Sequence, residues 1–302
     1  MRGSIVRRCL VALLLAISAN ASAASFPGSD SPPRIASVDW TLAEILIALG
    51  VPPIALVQTQ AYTDWVKQPA LPPETVDIGL RAQPNRELLA RLDPDLILLS
   101  PISSILVETL SRIAPVEVLS VYQPGGDLWE RIKQTTRRLG VLTGREERAQ
   151  QLIAEREATL TQLHERLGDA QPPLLVVQFI DDRHVRVFGR NSLFDAVLQR
   201  LGLDNAWQGG TNQWGFSTVG IEALANAEDA NLVVIEPIPM GVEETLAHSG
   251  LWQRLPAVKR SHVVTLPAVW SFGGLASATR FGELLTQALI ADATSSPNGG
   301  ES

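Results

Sequence analysis

The 302-residue sequence has one cysteine and two methionines. The cysteine, Cys9, lies in the first ten residues, and Met1 is the initiator, so Met240 stands alone in the body of the chain. A body without cysteine excludes disulfides and thiol chemistry, and one thioether gives no support to copper ligation. The four histidines, His164, His184, His248 and His262, are far apart, and no pair has metal-site spacing. Lysine is almost absent, with only Lys67, Lys133 and Lys259. Acidic residues outnumber basic ones, 32 to 25, for a formal net charge of −7, which argues against a nucleic-acid partner. No phosphate-binding G-x-x-x-x-G-K-[ST] and no nucleophile-elbow G-x-S-x-G is present. "DDRH" (Asp181 to His184) could form an acid/base or metal cluster in a periplasmic enzyme, but it reads better as a polar turn after the strand "LLVVQFI".

The N-terminus reads as a leader. Arg2, Arg7 and Arg8 precede the apolar run "CLVALLLAISA", and Ala21-Ser22-Ala23 supplies a small-x-small cleavage site. The run is shorter than the ~20 residues that span a bilayer, so the pattern is that of a secretory signal peptide, cleaved after Ala23. Arg7-Arg8 also fits the twin-arginine route, though ordinary export is the plainer reading. Removing three arginines makes the mature chain more acidic still. An exported, cysteine-free chain without a lipid anchor reads as periplasmic.

The body carries a hidden repeat. "DWTLAEILIALGV" (Asp39 to Val51) resembles "NSLFDAVLQRLGL" (Asn191 to Leu203), and each follows a β-like run, "RIASV" or "VRVFG". "PNRELLARLDPDLILLS" (Pro84 to Ser100) resembles "GIEALANAEDANLVVIE" (Gly220 to Glu236), and "LSRIAPVEVLSV" (Leu110 to Val121) resembles "LPAVKRSHVVTL" (Leu255 to Leu266). Alternating strands and helices predict mostly parallel sheets covered by helices. Between the halves, Asp127 to Asp169 has helical periodicity interrupted by Gly140 and Gly144. Arg145 to Leu167 alone gives a helix of about 34 Å at 1.5 Å per residue. The expected fold is α/β: two Rossmann-like lobes joined by one long α-helix. The expected bounds are 1–23 for the leader, 24–126 for the first lobe, 127–169 for the spine, 170–291 for the second lobe and 292–302 for a disordered tail.

Two such lobes make a cleft, and ligands of parallel α/β sheets gather at the carboxyl ends of strands. Trp40, Trp270 and Phe272 fit that edge, and Arg81 follows the strand-like "VDIGL". Trp65 lies in a Pro-rich loop, and Trp207 and Trp214 share the polar, glycine-rich loop "DNAWQGGTNQWGF". A lone loop tryptophan usually only packs. Several at one topological edge, with an arginine, point instead to a binding surface. Trp129 and Trp252 sit in helix-like contexts and read as packing residues.

These segments resemble the ferric-hydroxamate-binding periplasmic proteins, which serve ATP-driven siderophore importers of the inner membrane. The likeness runs from about Arg34 to Ala291 and is carried by "DWTLAEILIALG", "DIGLRAQPNRELL", "NAWQGGTNQWG" and "LPAVW". "NAWQGGTNQWG" is the most specific, whereas the "PN.E.L" element is widespread. The resemblance implies a monomeric binder rather than an enzyme. It implies no resident metal or cofactor, because the siderophore occupies all six iron positions. It places Arg81 on the hydroxamate oxygens, whose delocalised charge suits a planar guanidinium. It maps an aromatic pocket onto Trp40, Trp65, Trp207, Trp214 and Trp270, with Asn212 nearby. It also assigns one glutamate per lobe, Glu87 and Glu222, to salt bridges with the permease, although a glutamate in a first helical turn is favourable on its own.

The sequence departs from that pattern at three places. Ser103 stands where the family has a hydroxamate-contacting tyrosine, and Phe272 lacks the hydroxyl of its family counterpart. Arg186 stands where an apolar residue is usual, as either a solvent-facing strand-edge charge or a second cation in the cleft. Together they suggest a more anionic cargo, such as a citrate-hydroxamate siderophore. Haem or cobalamin on the same fold is the alternative, with Tyr62 the nearest side chain to an axial ligand.

Overall fold

The computed structural model describes residues 32–168 and 171–295. The leader and the residues after Ser295 lie outside the described residues. The chain begins with β1 (Ile35–Ser37), α1 (Trp40–Ala48), β2 (Ala55–Leu56), α2 (Thr59–Trp65) and β3 (Val76–Asp77). A small hairpin, β4 (Gly79–Leu80) and β5 (Gln83–Pro84), leads into α3 (Arg86–Arg91) and β6 (Leu96–Leu99). A 3-10 turn (Pro101–Leu106), α4 (Val107–Leu110) and β7 (Val116–Val118) complete the first lobe. Its sheet has the order β3-β2-β1-β6-β7, all parallel.

Two helices then connect the lobes, α5 (Leu128–Thr143) and α6 (Glu146–Leu167). The break falls at Gly144, which takes a left-handed φ of 65° and caps α5. Gly140, expected to break the spine as well, is helical. Its role is packing, since a Cβ there would stand 2.7 Å from the Cβ of Ala149 on α6.

The second lobe contains β8 (Leu174–Phe179), β9 (His184–Phe188), α7 (Leu193–Arg200), β10 (Phe216–Gly220), a 3-10 turn (Ile221–Asn226) and β11 (Asn231–Ile235). It ends with α8 (Val242–His248), α9 (Pro256–Lys259), β12 (Val263–Leu266) and the long α10 (Leu275–Ser295), which continues past the lobe end expected at Ala291. Its sheet has the order β10-β9-β8-β11-β12. Strands β8, β11 and β12 are parallel, but β9 runs antiparallel to both β8 and β10. The repeat therefore holds in element order and fails in the sheet. β8 takes the place beside β11 that β1 takes beside β6, and the strand before α7 sits one position further out. The cause is the short turn between β8 and β9, which can join only antiparallel neighbours. "DDRH" makes that turn: Asp181 Oδ1 accepts the backbone N–H groups of Arg183 and His184 and faces His184 Nδ1 at 3.0 Å.

Local sequence explains the helix ends. Asp39, Asn85, Asp127 and Ser192 each accept a backbone N–H in the first turn of α1, α3, α5 and α7. Gly50 and Gly202, the matching glycines of the repeat, take left-handed φ of 78° and 69° just past α1 and α7.

Each sheet packs one face on a core of its own. The other faces share a single apolar core that runs from Ile35 and Leu98 through α5, α6, α7 and α10 to Val176 and Val233. The spine is thus welded to both lobes by apolar burial, at about 25 cal/mol per Å² removed from water. Trp129 is fully buried in this shared core, and Trp252 packs edge-on against Phe179 at 5.7 Å, as expected of packing residues.

Candidate ligand-binding cleft

The carboxyl edge of the first lobe's sheet meets the β9–β10 face and the segment after β12 of the second lobe around one cavity of about 450 Å³. That is the size range of small-molecule sites. Arg81 enters it from the first lobe, carried on the two-residue turn between β4 and β5. Asp77 braces the approach by accepting the N–H of Gly79 at 2.7 Å and the N–H and hydroxyl of Thr59, each at 2.8 Å. Partial burial would raise the Asp77 pKa, but the hydrogen bonds from Gly79, Thr59 and Gln58 outweigh it and hold the carboxyl below its usual value. The guanidinium lies 5.0 Å from the Trp40 ring centroid, and its Nε is buried without a hydrogen-bond partner. Ser100 Oγ, on the same side of the cavity, is buried and unpartnered too.

The second lobe contributes Arg186 from the middle of β9, opposite Thr218 of β10 and Gln178 of β8. Strand alternation sends Val185 and Val187 into the lobe's own core and Arg186 to the cleft face. Its guanidinium lies 5.4 Å from the ring of its diagonal neighbour Phe216 and donates to Gln178 Oε1 at 3.3 Å. Of the two readings of Arg186, the cleft-facing one is the geometry found. Burial pulls its pKa below the usual guanidinium value.

An aromatic wall joins the two arginines. Ring centroids follow from Trp40 to Trp270 at 5.0 Å, to Phe272 at 5.1 Å, to Phe216 at 5.9 Å and to Trp214 at 6.5 Å. Trp214, Trp270 and Phe272 line the cavity, whereas Trp40 is only 6% exposed and supports Arg81 and Trp270 from beneath. Trp65 packs against the first lobe's core instead of lining the cavity. Trp207 buttresses its own loop, its ring wedged so close to Gly189 and Gly209 that a Cβ at either would stand within 2.6 Å of it. Asn212 shapes the same loop through Oδ1, which accepts the N–H groups of Trp214 at 2.9 Å and Phe216 at 3.3 Å. Gly215 closes the loop at a φ of 79°, with no room for a side chain against Ser192. Ser103 is 4% exposed and does not line the cavity, which is lined by Ser100, Pro101 and Ile102 at that turn.

Phe216, Tyr122, Gln213, Asp39 and Ser100 also line the cavity and were missing from the sequence-derived set. Phe216 was within reach, two residues beyond Trp214 in the same aromatic stretch. Tyr122 follows β7 at the carboxyl edge that was already singled out. Its ring packs edge-on against Phe272 at 5.8 Å, and its hydroxyl donates to the Gly273 carbonyl at 2.8 Å.

Glu44 was missed entirely and sits at the seam between the lobes. It is fully buried on α1, yet it accepts the N–H groups of Gly274 at 3.0 Å and Ser277 at 2.9 Å, with the Ser277 hydroxyl at 2.7 Å. It therefore caps the N-terminus of α10 from the other lobe. Burial raises its pKa to about 7 against the opposing pull of these hydrogen bonds. A lone carboxylate among apolar residues, in "WTLAEILIALG", was the signal that could have found it. Thr41, whose hydroxyl donates to the Phe272 carbonyl and accepts from Trp270 Nε1, ties the same segment to α1.

Glu87 and Glu222 are both exposed, each the second residue of the short helix before β6 or β11. Glu87 follows the β4–β5 hairpin and Glu222 follows β10. Among the described residues, no histidine lines the cavity and no group of three or more His, Cys, Asp or Glu could hold a metal ion. Tyr62 is fully buried and its hydroxyl donates to Pro69 O at 3.1 Å. No described helix is long and apolar enough to cross a membrane.

The sequence pattern of the periplasmic binding proteins matches residues 35–269. The chain belongs to the periplasmic binding protein family. It is similar to the iron(3+)-hydroxamate-binding protein FhuD of Escherichia coli K12, at 33% identity over 259 residues, covering 85% of this chain and 87% of that one. Among solved structures it resembles FhuD of Vibrio cholerae bound to Fe3+-Desferal, with a TM-score of 0.82 and 30% identity, covering 86% of this chain and 99% of that one. A more distant relative is the Fe(3+) dicitrate-binding periplasmic protein FecB of Escherichia coli K12, 25% identical over 86% of this chain and 87% of that one. The cavity described above lies between the two lobes.

Proposed function

We propose that the cleft captures a ferric siderophore of the hydroxamate type and that the protein delivers it to an inner-membrane ABC importer. The observation that carries the reading is Arg81: a cation whose buried Nε lacks a partner, aimed into a cavity walled by Trp214, Trp270 and Phe272. Hydroxamate oxygens would satisfy that guanidinium, and the aromatic faces would cover the hydrocarbon arms of the chelator. The iron is cargo, held by the chelator alone, and the protein performs no reaction on it. The mature chain works as a periplasmic monomer once the leader is removed. Bounds near 126 and 170 separate the lobes from the spine. The apolar core shared by both lobes favours a small closure.

Delivery is assigned to Glu87 and Glu222 as docking charges. Exposed charges contribute little to stability. Glu87→Ala combined with Glu222→Ala leaves folding and ligand affinity intact and abolishes uptake in cells. Normal uptake by that double variant would refute the assignment.

Thermal shift tests the main reading. Ligand at 100 times its Kd stabilises the folded state by about 2.7 kcal/mol. A ferric hydroxamate should raise the Tm by several degrees, and free zinc, manganese or iron salts should not. Stabilisation by a free metal and by no ferric hydroxamate would favour a metal-dependent activity instead.

A further inference from the structure

The aromatic wall has two guanidiniums braced against it, one from each lobe: Arg81 over Trp40 and Arg186 over Phe216. Neither forms an ion pair among the described residues. Among the described residues, Asp39 is the one carboxylate side chain lining the cavity, and it is engaged with the Leu42 N–H as the cap of α1. The lining thus carries two cations against one committed anion.

Arg186 is the more demanding of the two. A half-buried guanidinium in mid-strand loses hydration. In return it has a cation–π contact and one hydrogen bond, at 3.3 Å, to a neutral amide. A counter-ion supplied by the ligand would complete its environment. A neutral complex has none to give: three hydroxamate monoanions cancel the charge of Fe3+, and the charge on their oxygens is the partner of Arg81. A carboxylate outside the chelate would be the partner of Arg186.

We propose that Arg186 is a specificity-determining residue, and that the cleft selects ferric hydroxamates bearing a free carboxylate, and so net negative charge, over neutral and cationic ones. The proposal rests on the reading of the cleft as a ferric hydroxamate site. It concerns only how that site ranks ligands of one chelate type.

Three ligands with one chelate and different charge provide the test: ferrioxamine B, with its free ammonium, its N-acetyl derivative, which is neutral, and its N-succinyl derivative, which carries a carboxylate. Calorimetric titration of the wild-type protein should show the N-succinyl complex binding about tenfold tighter than the N-acetyl complex, and ferrioxamine B weakest. Arg186→Leu should shrink the succinyl-to-acetyl ratio to below about threefold, and Arg186→Lys should keep part of it. Equal wild-type affinities for all three would overturn the proposal while leaving the hydroxamate reading standing, as would a ratio untouched by Arg186→Leu. Failure of all three to bind would overturn the hydroxamate reading and this proposal with it.

Discussion

Arg81 and Arg186 face one cavity from opposite lobes, yet one is carried on a two-residue turn and the other in the middle of a strand. The first lobe builds its half of the cleft from loops at the carboxyl ends of parallel strands. The second builds much of its half from the face of an antiparallel meander, with Arg186 and Phe216 side by side on neighbouring strands. Two related halves thus present different surfaces. One extra strand, β8, displaces the strand before α7 by one place in the sheet, and the residue that this strand sends to the cleft is Arg186.

The seam between the lobes gives the largest expected effect. Glu44 has a folded pKa of about 7, raised from 4.5 by burial. A raised folded pKa means that the folded state holds its proton more tightly than the unfolded state. The stabilisation is complete below about pH 4.5 and is lost as pH rises through 7. Across that window the loss is on the order of 3 kcal/mol. Urea denaturation of wild type and Glu44→Gln at pH 5 and pH 8 checks this: the wild type should lose stability at pH 8 relative to the variant. A parallel pH dependence in both would show that Glu44 does not titrate in this range.

Next comes the contrast between the arginines. Arg81→Ala should weaken ferric hydroxamate binding about 100-fold, since the lost contact is a charge-assisted one in a partly enclosed site. Calorimetry reads this directly, and a loss under threefold would move the anchor of the chelate elsewhere. Smaller still is the contrast within one loop. Trp214→Ala should cost about tenfold in affinity. Trp207→Ala should change affinity by less than about twofold and lower the Tm instead, because its ring fills the space between Gly189 and Gly209. Equal affinity losses at the two positions would erase that distinction.

Much of the site was legible where its residues follow strand ends, at which topology alone forecasts the ligand edge. Arg81, Trp270 and Phe272 were found in this way. The long α6 and the alternation of strands and helices were legible from periodicity. Side-chain direction was not. Ser103 and Trp65 share the right segments but do not line the cavity, and a one-residue change of facing cannot be read from a 3-10 turn or a helix end. The antiparallel β9 was legible only through the connection before it: four residues separate it from β8, too few for a parallel crossover, while the alternation of β9 itself carries no direction. Glu44 escaped for the opposite reason: its partners at Gly274 and Ser277 are more than 200 positions away.

The central claim, that the interlobe cavity is a ferric hydroxamate site anchored by Arg81, is tested most directly by tryptophan fluorescence titration, since Trp214 and Trp270 line the cavity. The account predicts saturable one-to-one quenching by ferric hydroxamates in the wild-type protein and its near loss in Arg81→Ala. Absence of saturable quenching by any ferric hydroxamate, or tighter binding of a ferric tris-catecholate, would contradict it.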